Sequence, residues 1–359
     1  MKQTIRSEIR QPHILFFIAF LLSFLLGCTP AARDLEEVKR GELSQPEEIL
    51  SDGSGSVGES QEEGYPQIRS LSDLGEEKWS EGTVRYQGKL YRYKDSMQNY
   101  LFMGIDNDGP ARLSEDGISG GQSDAMFLLS MDERERELFV IAINRNTIVP
   151  VDVYNRDGEF ISQVDLQICL QHGYGDGMKL SCIRSVEAVG RLFRNIPISG
   201  YVALNMGGLA AMNDAAGGIT LEPLESIRRG DVTIKKGEEI TLTGEQAYAY
   251  LRTRDVEVFG SADERLKRQM QYILLFFEKL TQNTSLANTV YNAGADYIVA
   301  SIDLPKLINS TRDMTFDEDH MYSVPGTTSE QNTYEWYTVD EKKFLDLIFE
   351  VFYEEVKES

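Results

Sequence analysis

From about residue 86 onward, apolar residues fall into short blocks separated by polar and glycine-containing stretches. Residues 100–105, 125–130, 138–143 and 201–205 are runs of five or six mostly apolar residues, the length and boundary chemistry of buried strands. Between and after them the period changes. Val186, Val189, Leu192 and Phe193 recur at helical spacing over residues 185–193. Thr243 followed by Gln246 is a capping-box pattern that predicts a helix start through Tyr250. Residues 263–280 carry Leu266, Met270, Ile273, Leu274 and Phe277 on one stripe, an amphipathic helix, and residues 344–356 read as a closing helix. Strands and helices intermix along one length, with no internal repeat. This predicts a single α/β domain over residues 86–359, its central sheet flanked by helices on both faces.

The two segments before that domain have different patterns. Lys2, Arg6 and Arg10 precede a nearly unbroken apolar run over residues 14–27, a run that suits a signal-peptide core and is short for a membrane span of about 20 residues. It ends in Leu25-Leu26-Gly27-Cys28, which resembles a bacterial lipobox. That likeness implies cleavage after residue 27 and diacylation of Cys28, the alternative being a short transmembrane anchor. Either way the body is expected outside the cytoplasm, tethered at the extracytoplasmic face of the cell membrane. Residues 28–85 read as an acidic flexible linker. Residues 34–81 alone hold 14 acidic and 4 basic side chains and few aromatics.

Composition then narrows the chemistry. The 359 residues carry 36 Lys+Arg against 58 Asp+Glu, a net charge of −22, which argues against nucleic acid as a partner. Three histidines, none at ligand spacing from a second His or a Cys, argue against zinc. Cys169 and Cys182 flank a Gly-rich segment. They are expected as a disulfide, which an oxidising compartment allows, or else as two free buried thiols.

Polar residues cluster just beyond the predicted strands, where open α/β sheets build their sites. Asp106 follows the first strand and Asp124 opens the second. The pair suits a shared hard cation such as Mg²⁺ (or Mn²⁺), or else ordinary turn chemistry beside glycine. Arg145 follows the third strand. Arg252 and Arg254 end the capped helix, and Arg265, Arg268 and Gln269 open the next, with positions 265, 268, 269 and 272 on one face. In so acidic a chain this is either a polyanion site, for which Arg forks are suited, or a solvated face paired with Asp255, Asp263 and Glu264.

In order, these blocks resemble the LytR-CpsA-Psr family of cell-wall glycopolymer transferases. The matching stretches are Gly104-Ile105-Asp106, Gly121-Gln122-Ser123-Asp124-Ala125, Asn144-Arg145-Asn146-Thr147, Ile196-Pro197-Ile198 through Tyr201, Asp214 through Ile219, Leu242 through Arg254, and Arg265-Leu266-Lys267-Arg268-Gln269. The resemblance implies a mixed central sheet and Mg²⁺-assisted phosphoryl transfer. In that chemistry a glycopolymer moves from a polyprenyl-pyrophosphate carrier to a peptidoglycan hydroxyl. It implies Asp106 and Asp124 as metal ligands, and Arg145, Asp124, Arg252 and Arg254 as the catalytic set. The pyrophosphate grip would be Arg145, Arg252, Arg254, Arg265, Arg268, Gln269 and Gln122. Two departures stand out: Gln122 replaces the family's Arg, and Asn146 replaces a frequent Asp. They leave open a polyprenyl-pyrophosphate-binding lipoprotein without turnover, or a pyrophosphatase of the same fold.

Overall fold

The computed structural model describes residues 67–74, 82–114, 116–255, 257–316, 318–331 and 334–357. The signal-peptide reading, Cys28 and the linker as far as residue 66 lie outside the described residues.

Six strands make the central sheet. They are β1 (Met97–Ile105), β2 (Ser123–Asp132), β3 (Glu137–Ile143), β4 (Gly200–Asn205), β5 (Ile298–Ala300) and β6 (Met321–Ser323). Across the sheet the order is β5-β4-β1-β2-β3-β6. The β4/β1 and β3/β6 pairs are parallel and the remaining three antiparallel, so the sheet is mixed, as the sequence predicts. Every residue of β2 is buried, which explains why its sequence reads as one apolar run rather than an alternation.

Helices cover both faces. Leu101, Met103, Met126, Leu128 and Ile141 pack on one face with α1 (Lys179–Leu192) and, later in the chain, the helix Glu341–Phe352. Phe127, Leu129, Val140 and Val202 pack on the other with two successive helices, Ser261–Gln282 and Thr284–Gly294. In chain order these follow α2 (Gly244–Arg252), so they are α3 and α4, and Glu341–Phe352 is α5. The capping box of α2 forms as expected: Thr243 Oγ1 accepts from Gln246 N at 3.3 Å, and Gln246 Oε1 accepts from Thr243 N at 3.0 Å.

Two expected boundaries move. The closing helix ends at Phe352, and Tyr353–Val356 is instead a strand antiparallel to Lys89–Tyr93. The same small sheet takes in Thr83–Tyr86 and Gln67–Ile68, both from the segment expected to be linker. Ile68, Leu71 and Leu74 are buried in the core that α5 covers. The folded body therefore includes residues 67–74 and 82–85. Acidic neighbours dilute these few apolar residues in sequence, but contacts with the far end of the chain bury them.

Candidate active site

The register of β1 and β2 slips at one point. Gly104 pairs with Ala125 and Ile105 with Ser123, so Asp124 is the extra residue of a β-bulge. Bulges re-aim side chains. Here the alternation breaks so that Asp124 meets guanidinium groups from two elements. Its Oδ1 accepts from Arg145 Nη1 and its Oδ2 accepts from Arg265 Nη1 at 3.0 Å. Just upstream, Gly121 sits at φ +79, and a Cβ there would stand 2.9 Å from Ile105 Cγ2, so a side chain is excluded where the chain turns into β2.

Arg145 follows β3 in a tight turn. Asn144 holds the turn by accepting from Asn146 N at 2.8 Å, and Thr147 Oγ1 donates to Asn144 O at 2.7 Å. Arg145 also donates to Gln122 Oε1 and to Cys169 Sγ, the latter at 3.2 Å, and its buried Nε has no partner among the described residues. Burial works against the Arg145 charge, but the Asp124 carboxylate beside it favours that charge, and the pKa of Arg145 is raised. Burial pushes the Cys169 thiol up in spite of Arg145, so it stays protonated. Arg265 is buried and its pKa is lowered by that burial, with Asp124 opposing.

The remaining arginines divide. Arg252 closes α2, lies against Tyr248 and donates to Asp106 Oδ1. Arg254 pairs at 3.7 Å with Glu335, a residue for which the sequence offered no signal. Arg268 has other partners. It is buried, donates through Nε to Tyr250 O at 2.8 Å, and also bonds Thr253 O and Glu225. These bonds tie Arg268 to the α2–α3 connection. Gln269 likewise pins Leu251 O, at 3.3 Å. The arginine face of α3 is the buried one, which removes the solvated-face alternative for Arg265 and Arg268.

Gln122, Arg145, Asn146, Arg254 and Glu335 line one polar cavity of about 580 Å³. A second cavity, about 140 Å³ and almost wholly apolar, runs between the sheet and α3/α4. Its wall includes Gly104, two residues before Asp106; Ala125 and Leu251, next in sequence to Asp124 and Arg252; and Gln269, one helical turn from Arg265. The apolar cavity thus lies beside elements that carry the charged cluster. Arg145, Arg252, Arg254 and Arg265 face Asp106, Asp124 and Glu335, so the cluster carries 4 − 3 = +1 within a chain of −22.

The cysteines are both free and buried, which corrects the expected disulfide. Cys169 faces Arg145, whereas Cys182 lies on α1 with its Sγ 4.0 Å from His172 Nε2. His172 is itself buried, its Nδ1 3.1 Å from Gly121 O, and burial lowers its pKa, so it is a neutral core residue. Ellman's reagent is expected to find the thiols at 169 and 182 unreactive in the native protein. In denaturant both should react, in the same number with or without prior reduction. A reduction-dependent gain of two thiols would contradict this.

A sequence profile of the LytR_cpsA_psr family matches residues 69–350, nearly all of the folded body. The chain belongs to this family. Among relatives, it is 28% identical over 222 residues to the polyisoprenyl-teichoic acid–peptidoglycan teichoic acid transferase TagU of Oceanobacillus iheyensis, covering 61% of this chain and 63% of that one. It is 29% identical over 193 residues to an uncharacterized Staphylococcus aureus protein, covering 52% of this chain and 43% of that one. The chain thus spans about half the length of the curated relatives it matches. Among solved structures, Bacillus subtilis TagV superposes with a TM-score of 0.54 at 20% identity, covering 72% of this chain and 97% of that one. A structure of TagT bound to LI-WTA gives 0.53 at 19%, covering 72% and 90%. These likenesses establish the family and the fold. In this member, position 122 is an amide whose oxygen accepts from Arg145, a bond that an arginine there would not make.

Proposed function

We propose that the protein is a phosphotransferase that moves a glycopolymer from a polyprenyl-pyrophosphate carrier to a peptidoglycan hydroxyl. The observation that carries this reading is an apolar cavity beside an arginine–aspartate cluster, an arrangement that suits a lipid tail joined to a pyrophosphate. The names of the relatives support the same substrate class. The lipid tail would lie among Phe102, Phe277 and Val290, and would have to part the side chains of so narrow a cavity. Arg145, Arg252 and Arg265 would hold the pyrophosphate oxygens, exchanging carboxylate oxygens for phosphate ones.

The donor set fits Mg²⁺. Asp106 and Asp124 are hard oxygen ligands, and among the described residues no cluster of three or more acidic, His or Cys side chains forms a fuller cage. Mg²⁺ is commonly held by one or two carboxylates with water and substrate phosphate. When bound there it would neutralise charge on the phosphate oxygens. In the transfer itself, the acceptor hydroxyl oxygen bonds to the glycan-linked phosphorus and gives up its proton to solvent, the bridging P–O bond breaks, and polyprenyl phosphate leaves with the electron pair. Arg145 and Arg265 stabilise the charge that builds on those oxygens, and little else is asked of the protein in a loose phosphoryl-transfer transition state.

We also place the protein at the extracytoplasmic face of the cell membrane, anchored through lipid on Cys28. No helix among the described residues is long and apolar enough to span a membrane. A Cys28→Ala variant is then expected in the soluble fraction after cell fractionation.

Narrowing the apolar cavity tests the lipid assignment. Ala287→Leu, on α4, should weaken binding of a long polyprenyl pyrophosphate about tenfold, the equivalent of displacing two methylenes at about 0.8 kcal/mol each. Inorganic pyrophosphate binding should not change. Equal affinity for the long lipid would contradict the assignment. The activity is tested by incubating the full chain in detergent with a lipid-linked glycan, Mg²⁺ and peptidoglycan, then identifying products by mass spectrometry. Glycan on peptidoglycan together with polyprenyl phosphate is the expected result. Free glycan phosphate without acceptor product would indicate a pyrophosphatase, and bound but intact lipid a non-catalytic binder.

A further inference from the structure

The three segments that bring arginines to the site meet at a single carboxylate from elsewhere in the chain. Glu335 lies on the second strand of the hairpin Gly326–Gln331/Tyr334–Val339. Its Oε2 accepts from Asn146 Nδ2 at 2.9 Å, in the turn that carries Arg145. The same oxygen is 3.7 Å from Arg254 Nη1, in the segment after α2. Its Oε1 accepts from Gly260 N at 2.9 Å, at the start of the helix that carries Arg265. Gly260 is the N-cap of α3 and has no side chain to cap with, so this carboxylate meets the positive end of the helix in its place. Its side chain is 16% exposed, inside the polar cavity.

Other contacts hold Glu335 in turn. Gln167 Nε2 donates to its carbonyl at 2.7 Å, and Tyr337 N donates to Asn146 O at 2.9 Å. The hairpin makes a parallel tie on the same two elements. Asp263 of α3 accepts from Asn144 through Oδ1 and from Thr328 Oγ1 through Oδ2, the second at 2.8 Å. A hairpin that paired only with itself would need none of these bonds.

We infer that Glu335 is a positioning residue: it sets Arg254, and through Asn146 and Gly260 the turn of Arg145 and the start of α3, in the arrangement that receives the pyrophosphate. This rests on the proposed pyrophosphate site, so the test separates the two. The full chain in detergent is titrated with geranylgeranyl pyrophosphate and Mg²⁺ as wild type, Glu335→Gln, Arg254→Ala and the double variant. Glu335→Gln should weaken binding on the order of 10- to 100-fold, the scale of losing a partner that orients a binding group. The double variant should lose less than the sum of the two single losses, because Glu335 acts in part through Arg254. The swap Asn146→Asp with Glu335→Gln moves the carboxylate across the 2.9 Å contact and should recover part of the loss. In transfer assays KM should rise more than kcat falls. Wild-type affinity in Glu335→Gln, or additive losses in the double variant, would overturn the inference. Should wild type itself bind no lipid, the pyrophosphate reading falls alone. Urea unfolding of the same four proteins then decides the positioning claim, since additive destabilisation would show Glu335 and Arg254 to be uncoupled. If Glu335→Gln does not fold, Glu335→Asp, which keeps the charge but shortens the reach, takes its place with an intermediate loss expected.

Discussion

Arg145→Ala is expected to lower transfer by about 10²- to 10³-fold while leaving the protein folded, the range for removing one preorganised donor from a charge-stabilising site. Arg145 meets Asp124, Gln122 and Cys169 at once, so it stands at the centre of the cluster with its guanidinium held in place for a ligand. Removing it leaves Asp124 still paired with Arg265. That is why the loss should fall on activity more than on stability. Transfer kinetics on Arg145→Ala, with circular dichroism confirming the fold, measure it. Turnover within a few-fold of wild type would remove Arg145 from the site.

Asp124→Ala should instead cost stability as well as activity. Arg145 and Arg265 are 13% and 4% exposed, and both would lose the carboxylate that compensates them. Breaking a buried pair by removing one partner costs about 3–5 kcal/mol, because the other charge stays buried and uncompensated. Here one carboxylate serves two guanidiniums, so the upper part of that range is expected. Urea denaturation reads the effect as a shift in midpoint at constant m-value. A loss under about 1 kcal/mol would mean that the arginines relax toward water. In that event the bulge at Asp124 would not be what holds the cluster together.

Much of the fold was legible because it follows from local pattern. The runs at 100–105, 125–130, 138–143 and 201–205 are the cores of β1 to β4, and the Thr243/Gln246 capping box starts α2 as predicted. What could not be read is non-local. Tyr353–Val356 leaves the helical pattern because Lys89–Tyr93 offers it a strand edge, and Gln67–Ile68 joins that sheet from an acidic stretch that looks like spacer. The site divides in the same way. Asp106, Asp124, Arg145, Arg252, Arg254 and Arg265 were singled out by their places after strands and helices, and the fold brings them to one region. Helical spacing put Arg265 and Arg268 on one face but could not say that one meets Asp124 while the other is spent on Tyr250 O and Thr253 O. Glu335 stayed invisible because it belongs to a polar hairpin about 190 residues from the Asn146 it bonds, with neither motif nor periodicity to mark it.

The most direct test of the account is a crystal structure of the protein with a polyprenyl pyrophosphate and Mn²⁺, whose anomalous signal locates the metal. The account predicts the lipid between the sheet and α3/α4, the pyrophosphate on Arg145, Arg252 and Arg265, and the metal between Asp106 and Asp124. Lipid bound elsewhere, or a pyrophosphate that leaves Arg145 on Asp124 and Gln122 untouched, would contradict it.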